Sequence, residues 1–472
     1  MSKVIADVLT VISDALYSYI LIALLILTGM YFFIRTRALP LRQFREAIRV
    51  VMEPPLIRGE LSSFRALMVS TASRVGVGNI AGVGTAMALG GAGSVFWMWV
   101  IATLGGASAF IESTLAQIYK KRSGHDHSYG GPAYYILVAL KQNWLATLFA
   151  IVLIVTYMGG FNLLASFNVT DAFMAFDWTQ SFPYTKWVIG GVLAVAMAGS
   201  IFGGTRRLTA ITGVLVPIMA LIYLAVSVLV VIINYQAIPS MFNAIFSEAF
   251  DFQAIFGGFS GSAMMYGIKR GLYSNEAGVG SAPNAAASAS VSHPVKQGLV
   301  QMLSVFIDTI IICTLTAFVI LSTGVPLGDE LKGAPLVQAA MSTSLGSFAA
   351  YFVPFALLLF GFTTLVGNFY YAEVNFRFLL RKWQTPRWTL VILRIVASVL
   401  VLAGALMRFE IAWNLGDILM GLMALINLPV IVILGNIAIR CAKDYEEQRR
   451  RGEDPVFKAA NIDITDKLDY WQ

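Results

Sequence analysis

Charge is scarce in this chain. Asp, Glu, Lys and Arg make up only 12% of its 472 residues, against 58% hydrophobic residues. That balance excludes an ordinary soluble globule and reads as a polytopic membrane protein. Cysteine is scarcer still, with two in all. Cys313 lies inside an apolar run and Cys441 follows the last one, so no disulfide framework is expected. Of the three histidines, His125 and His127 flank Asp126 in a polar loop with no further ligand, which is too few donors for a zinc site. There is no Walker motif, which argues against ATP drive. No nucleophile–base pair or aspartate pair occurs, which argues against a membrane-embedded hydrolase or acyltransferase. The net charge of +7 does not point to nucleic acid, because the basic residues fall in short loops between apolar runs. The N-terminus has neither a basic n-region nor a small-residue cleavage site, so 11–34 is expected to be a retained span.

What the chain has in abundance is spanning sequence. Apolar runs lie near 11–34, 64–90, 92–118, 144–171, 186–203, 211–234, 253–290, 297–322, 348–380, 388–407 and 411–440, or about eleven helices. The run at 186–203 is short, and the run at 253–290 is too long for one plain helix. Basic residues cluster after the odd-numbered runs: Arg35 to Arg49, Lys120 to Arg122, Arg206 and Arg207, Lys296, Arg377 to Arg387, and Arg440 onwards. Acids such as Asp171, Asp177, Glu248, Asp251, Asp329 and Glu330 occupy the alternate loops. This asymmetry predicts an outside N-terminus and a cytoplasmic C-terminus.

Between the spans, Leu41, Phe44, Ile48 and Val51 share one helical face and Arg42, Arg45, Glu46 and Arg49 the other. This predicts a cytoplasmic interfacial helix stopped by Pro54 and Pro55. Residues 238–250 form a similar amphipathic stretch on the outer side. Gly130-Gly131-Pro132 is a turn before the amphipathic Tyr134–Leu140 stretch. Trp97, Trp99 and Trp144 read as interface or packing residues. The tail from Lys443 is charged and is expected to be solvated.

The most informative phrase occurs twice. Arg74-Val75-Gly76-Val77-Gly78-Asn79-Ile80-Ala81-Gly82-Val83-Gly84-Thr85-Ala86 reappears, shifted by 196 residues (270 − 74), as Arg270-Gly271-Leu272-Tyr273-Ser274-Asn275-Glu276-Ala277-Gly278-Val279-Gly280-Ser281-Ala282, with 7 of 13 positions identical. Small residues and Asn in mid-span let the backbone unwind, and free backbone groups at that depth must line a cavity or be buried in protein. Interrupted segments at corresponding places in two halves point to a transporter site. Five spans separate the two copies, so the halves, spans two to six and seven to eleven, run in opposite senses. The expected fold is an all-α polytopic 5+5 inverted repeat with one extra N-terminal helix. Its divisions are 1–63 (extra span and interfacial helix), 64–235, 253–441 and the cytoplasmic tail 442–472.

A broken helix offers unpaired N–H groups and a partial positive charge to a carboxylate, and unwound carbonyls to sodium. Gly76 and Gly78 would let a ligand approach the backbone, with Val77 between them and Asn79 beside them. Gly82 and Ala86, four apart, suit close helix packing. Adjacent Thr363 and Thr364 admit two equal readings, as sodium ligands or as hydroxyls bonded back to their own helix. Ionisable residues at depth are Arg74, Glu112, Lys269, Arg270, Glu276, Asp308 and Glu373. A structural network of Arg74, Arg270, Glu276 and Asp308 and a proton relay both remain open. Glu112, nearer a helix end, reads as a snorkelling group, and Asp308 has no evident mate.

Gly78-Asn79-Ile80-Ala81-Gly82-Val83, Phe96-Trp97-Met98-Trp99 and Gly130-Gly131-Pro132-Ala133-Tyr134-Tyr135 resemble signatures of the alanine-or-glycine:cation symporter family. So do Ser274 through Pro283, Gln297-Gly298 and Phe306-Ile307-Asp308-Thr309. The resemblance runs from the first span to the eleventh. It implies sodium-coupled uptake of a small neutral amino acid across a bacterial inner membrane, with sodium co-transported, no organic cofactor and membrane lipid as surroundings. By that resemblance, Gly76 to Gly78 would hold the substrate carboxylate, and Tyr273, Ser274 and Asn275 would line the pocket. The carbonyls of Ala72, Val75 and Phe360, with the Thr363 and Thr364 hydroxyls, would hold sodium. Ser166 and Asn368 stand where many family members carry Gln and Trp, which implies a roomier, more polar pocket. Proton coupling through Glu276 or Asp308, a glutamine preference, and an amino-acid sensor are the alternatives.

Overall fold

The computed structural model describes residues 2–57, 60–123, 127–176, 179, 181–250, 262–328, 330–381, 387–464 and 466–471. Among these, eight helices are long and apolar enough to cross a membrane: Lys3–Arg35, Ser94–Ile118, Asn143–Phe173, Arg207–Ile233, Pro294–Ser322, Ser347–Leu379, Trp388–Ala405 and Phe409–Arg450. A bilayer core of about 30 Å needs about 20 helical residues. The shorter apolar helix Thr185–Ile201 fills the run at 186–203. The two other expected spans are interrupted segments, and positions 253–261 of the second lie outside the described residues. The helix Arg207–Ile233 keeps only a third of its most apolar stretch buried and turns Leu221, Ile222 and Ile232 outward. That is the distribution expected when the outer solvent is hydrocarbon.

The two halves repeat one order of elements. In the first half, Ser63–Arg74, Gly78–Gly82 and Val83–Gly90 form a broken segment, and Ser94–Ile118 follows it. A short helix, Pro132–Val138, then leads to Asn143–Phe173, Thr185–Ile201 and Gly204–Ile233. In the second half, Ala263–Asn275 and Ala282–Ala286 are followed by Pro294–Ser322 and the short helix Ala334–Leu345. Ser347–Leu379, Arg387–Ala405 and Phe409–Arg450 complete it. Both short helices carry proline in the first turn and follow a glycine with positive φ, Gly131 (139°) and Gly333 (66°). Proline starts a helix without losing a bonded N–H, and glycine alone adopts those angles freely.

The breaks are placed differently from the repeated phrase. In the first copy the helix stops before the asparagine: Val75 is extended (φ −74°, ψ 93°) and Asn79 already lies in a π-helical turn. In the second copy the helix continues through Asn275 and opens after it, where Glu276, Gly278 and Gly280 have φ of 51°, 81° and 93°. Gly82 and Gly84, the counterparts of Gly278 and Gly280, remain helical. The phrase therefore marks both breaks but not their register.

Two peripheral expectations change. The interfacial stretch folds as Leu39–Arg42 and Phe44–Val51, but its apolar face is divided. Phe44 packs edge-on to Phe306 at 4.8 Å and Val51 is buried, whereas Leu41 and Ile48 stay exposed. The tail is not solvated: Phe457, Ile462, Leu468 and Trp471 are buried. Its acids balanced these apolar residues in composition and hid them. The amphipathic stretch at 238–250 forms the helix Ile238–Ala249, whose Glu248 Oε2 accepts the Ala92 N–H at 2.7 Å. Positions 124–126, which include His125 and Asp126, lie outside the described residues. His127 pairs with Ser123 in a two-stranded hairpin.

Candidate functional site

Three π-helical turns lie around the two breaks: Gly78–Gly82 and Phe306–Cys313 meet through Asn79 and Asp308, and Val155–Phe161 packs Phe161 on Tyr273 of the second broken segment. A π-turn adds a residue to a helix and re-aims the side chains around it, commonly at functional sites. These turns present Asn79, Phe161 and Asp308.

Asn79 is the hub. Its Oδ1 accepts the Gly76 N–H at 2.9 Å, and its Nδ2 donates to Asp308 Oδ1 at 2.7 Å and to Ser274 Oγ at 3.1 Å. Ser274 Oγ donates to Asp308 Oδ2 at 2.6 Å, and Thr309 Oγ1 donates to the same oxygen at 2.9 Å. Asp308 therefore has three mates on three elements. The Gly76 N–H, expected to face a carboxylate, is taken by Asn79. An unbroken helix would aim that donor at the Ala72 carbonyl.

Helix Ser347–Leu379 closes on this break. A methyl added at Gly76 would overlap the Thr364 hydroxyl, and one at Gly367 would lie 2.9 Å from the Ser73 nitrogen. The Phe360 carbonyl lies 3.6 Å from the same point above Gly76. The threonines divide. Thr363 Oγ1 donates back to the Phe360 carbonyl at 3.0 Å, whereas the buried Thr364 Oγ1 has no partner among the described residues. Two lone pairs and a proton left unpaired at a buried hydroxyl call for a ligand or water.

The walls around Gly78 are aromatic. A methyl there would meet the Tyr273 ring at 3.0 Å, so this glycine permits close packing of the two broken segments. Tyr273 packs on Phe161 and Trp413 with ring centroids 4.9 and 5.2 Å apart. Val77 is buried beside them. Asn275 turns its Oδ1 to the Ala277 N–H at 3.0 Å, and its Nδ2 donates to Thr309 Oγ1 at 3.3 Å, so it shapes the second break. On the opposite wall Ser73 Oγ donates to Asn368 Oδ1 at 2.7 Å, and Asn368 Nδ2 donates to Asn162 Oδ1 at 3.0 Å. The Asn162 amide nitrogen and Ser166 Oγ, one helical turn apart, are buried and unpartnered among the described residues.

The four expected network charges do not form one cluster. Arg270 makes a two-pronged pair with Asp417 at 3.0 and 2.8 Å and stacks over Trp413 at 4.1 Å. Lys269 joins Asp417 at 3.2 Å. Glu276 accepts from Ser73 at 3.2 Å and from Ser281 at 2.6 Å. Arg74 is buried with none of its guanidinium nitrogens hydrogen-bonded among the described residues. Its charge acts on Glu112, Glu276 and Asp308. Glu112 does not snorkel: it is wholly buried and accepts the Gly278 N–H at 3.2 Å and the Asn427 amide at 2.8 Å, pinning the second break. Sequence reasoning missed Asp417, Trp413, Asn427, Asn162 and Ser73. A lone aspartate in the apolar run 411–440 was the one available signal.

The arrangement holds unpaired polar atoms at a helix break, beside the aromatic cluster of Tyr273, Phe161 and Trp413. Residues 2–459 match the model of the sodium:alanine symporter family. The amino-acid carrier protein AlsT of Bacillus subtilis (strain 168) is 44% identical over 473 residues, covering 100% of this chain and 99% of the relative. The probable sodium/glutamine symporter GlnT of the same organism is 39% identical, covering 97% of this chain and 94% of the relative. The sodium/alanine symporter AgcS of Methanococcus maripaludis is 33% identical, covering 91% and 95%. With its whole length matched and its helices of spanning length, the chain belongs to the sodium:alanine symporter family, a family of multi-pass membrane transporters and not of enzymes.

Proposed function

We propose that this protein is a sodium-coupled symporter that carries a small neutral amino acid into the cell by alternating access. The observation that carries this reading is Thr364. Its unpartnered hydroxyl, the Phe360 carbonyl and the break at Val75–Gly76 meet at one point. Sodium takes hard oxygen donors, and the Ala72 and Val75 carbonyls beside that point would complete its shell. Thr363 contributes less, because its proton is committed to the Phe360 carbonyl.

The substrate lies next to the ion, against Gly78 and the ring of Tyr273, with Phe161 and Trp413 closing above. Its carboxylate meets backbone N–H groups of Val77 and Gly78, and reaches Gly76 once Asn79 releases that donor. Sodium and substrate hold the same segment in the same conformation, so each favours the other's binding. The chain divides into an extra span and interfacial helix (1–63), two inverted five-helix repeats (64–235 and 253–441) and a tail (442–472). It lies in the bacterial inner membrane with the N-terminus outside and the tail cytoplasmic, the orientation given by the arginine-rich loops.

A second reading, glutamine as the preferred substrate, is favoured by the relative named a sodium/glutamine symporter and by the free polar atoms of Asn162 and Ser166. Buried polar groups select ligands that satisfy them. Proteoliposome uptake of alanine, glycine, serine and glutamine under imposed sodium or proton gradients tests both. Sodium-driven uptake of alanine or glycine above glutamine supports the first reading. Glutamine above all others supports the second, and uptake driven only by protons overturns sodium coupling.

A further inference from the structure

The C-terminal segment is packed where transport requires movement. Beyond Arg450 the chain turns at Gly452, and the Gln448 side chain holds Val456 through two hydrogen bonds of 3.0 and 2.9 Å. The segment then joins the loop after the second broken helix: the Phe457 N–H donates to the Ser292 carbonyl at 2.9 Å, and Ser292 Oγ donates to the Pro455 carbonyl at 2.8 Å. It reaches Trp471, 8% exposed, whose indole N–H donates to the Gln117 carbonyl at 2.7 Å. The neighbouring Tyr470 ring covers the Lys120 ammonium at 3.7 Å.

What lies beneath is a node that gathers both broken helices. Lys120 Nζ and Gln117 Nε2 both donate to the Ala289 carbonyl at 2.9 Å. Ala289 forms a parallel bridge with Leu61, at the start of the first broken helix, and the Ser290 N–H donates to the Leu61 carbonyl at 2.8 Å. The tail therefore ties the end of the Phe409–Arg450 helix to the end of Ser94–Ile118 and to the tail-side ends of both broken segments. A buried tryptophan with its N–H satisfied is an anchor of the kind that dominates interfaces.

We propose that residues 453–471 are a latch that holds the cytoplasmic side of the transport path shut, and that inward opening requires Trp471 to leave its seat on Gln117 and Lys120. The inference rests on the symporter reading above and on its orientation. Motion of the node away from the Phe409–Arg450 helix stretches the strap between them, so the docked tail favours the state closed on its own side. A ligand that binds the tail, or a partner that withdraws it, would set the transport rate without touching the substrate site.

Two measurements on the full-length protein test this. In the first, Trp471→Ala is combined with Ser288→Cys. The node residue Ser288 neighbours Tyr370 of the Ser347–Leu379 helix. Labelling of that thiol by an impermeant maleimide in inside-out vesicles should quicken several-fold, as should substrate release. In the second, Gln117→Cys and Trp471→Cys are bridged by a short reductant-cleavable thiol reagent. Net sodium-driven uptake should fall at least tenfold, amino-acid binding in detergent should persist, and reductant should restore uptake. Bridged protein that transports at the unbridged rate overturns the latch even if Trp471→Ala fails to fold. An unmodified protein that shows no sodium-driven uptake overturns the function reading instead.

Discussion

Asn79 ties the first break to the Pro294–Ser322 helix through a single amide: its Oδ1 holds the Gly76 N–H at 2.9 Å while its Nδ2 donates to Asp308 at 2.7 Å. Asp308→Ala removes the carboxylate that accepts from Ser274, Thr309 and one Asn79 N–H, and each buried donor left without a partner costs about 1–3 kcal/mol. Transport should fall at least tenfold and the melting temperature should drop, while Asp308→Asn retains part of both. Uptake and thermal unfolding of the two purified variants check this. Equal loss in both would make the charge, and not the hydrogen bonds, the essential property.

The two threonines should separate. Thr364→Ala removes an uncommitted oxygen, and we expect the sodium concentration for half-maximal uptake to rise about tenfold, roughly 1.4 kcal/mol. Thr363→Ala removes a hydroxyl already bonded to its own helix, so its shift should be smaller. Sodium titrations of uptake rank the pair. The reverse order would move the ion away from Gly76.

Gly78 and Gly82 provide a matched comparison. A methyl at Gly78 meets the Tyr273 ring at 3.0 Å, whereas one at Gly82 meets Trp413 at an ordinary 3.6 Å. Gly78→Ala should weaken substrate affinity several-fold and Gly82→Ala should leave it near the parent value. Direct binding by calorimetry decides between them. A parent-like Gly78→Ala would show that Tyr273 yields freely and does not shape the pocket.

Asp417 pairs with two buried cations, Arg270 and Lys269, and Lys269 also reaches Asp14 at 3.7 Å. Removing one member of a buried pair costs about 3–5 kcal/mol. Asp417→Leu should therefore fold poorly, and adding Arg270→Leu should recover part of the stability. Melting curves for the single and double variants measure that recovery, and a double variant no better than the single would deny the coupling.

Tail docking should depend on pH with a defined sign. Burial draws the Lys120 ammonium from 10.5 down to about 7, with Glu60 opposing the shift and Arg122 adding to it. The groups facing it are Glu60, Arg122, Tyr470 and Trp471. An undocked tail returns Lys120 to water, so the undocked state binds the extra proton between about pH 7 and 10. Docking then strengthens as pH rises through that window and weakens as pH falls towards 7. Protection of the tail from proteolysis, compared with Lys120→Met at each pH, isolates this contribution. Parallel profiles for the two proteins would remove Lys120 from the latch.

The residues that interrupt helices were the most legible. Gly278 and Gly280 act through positive φ, and Gly76 and Gly78 through the absence of a side chain, local properties that survive in a linear reading, whereas Asn79 acts through its side-chain amide. Thr364 was legible only as half of a pair, because which hydroxyl bonds back depends on the face each presents to Gly76. Asp417 and Trp413 were hidden in the 411–440 run: their partner Arg270 is remote in sequence, and span prediction averages over single charges. Glu112 was misread because its donors are a backbone N–H at Gly278 and an amide at Asn427, neither of which carries a charge pattern. The tail misled for a related reason. Its buried apolar residues are spaced among acids with no helical or strand period.

Two polar side chains of the first broken segment find mates in the second half of the chain. Ser73 turns to Asn368 and Asn79 to Ser274 and Asp308, and the Leu61 backbone bridges to Ala289. During synthesis the first half reaches the bilayer well before those mates exist. Ser73, Arg74 and Asn79 must then wait in hydrated surroundings, at the insertion machinery or near the headgroups, because exposed to lipid tails they would each be unsatisfied. The first broken helix is therefore among the earliest segments made and among the last to reach its final depth. A ribosome-bound chain ending before Pro294 should leave Asn79→Cys open to aqueous thiol reagents, and completion of the chain should close it.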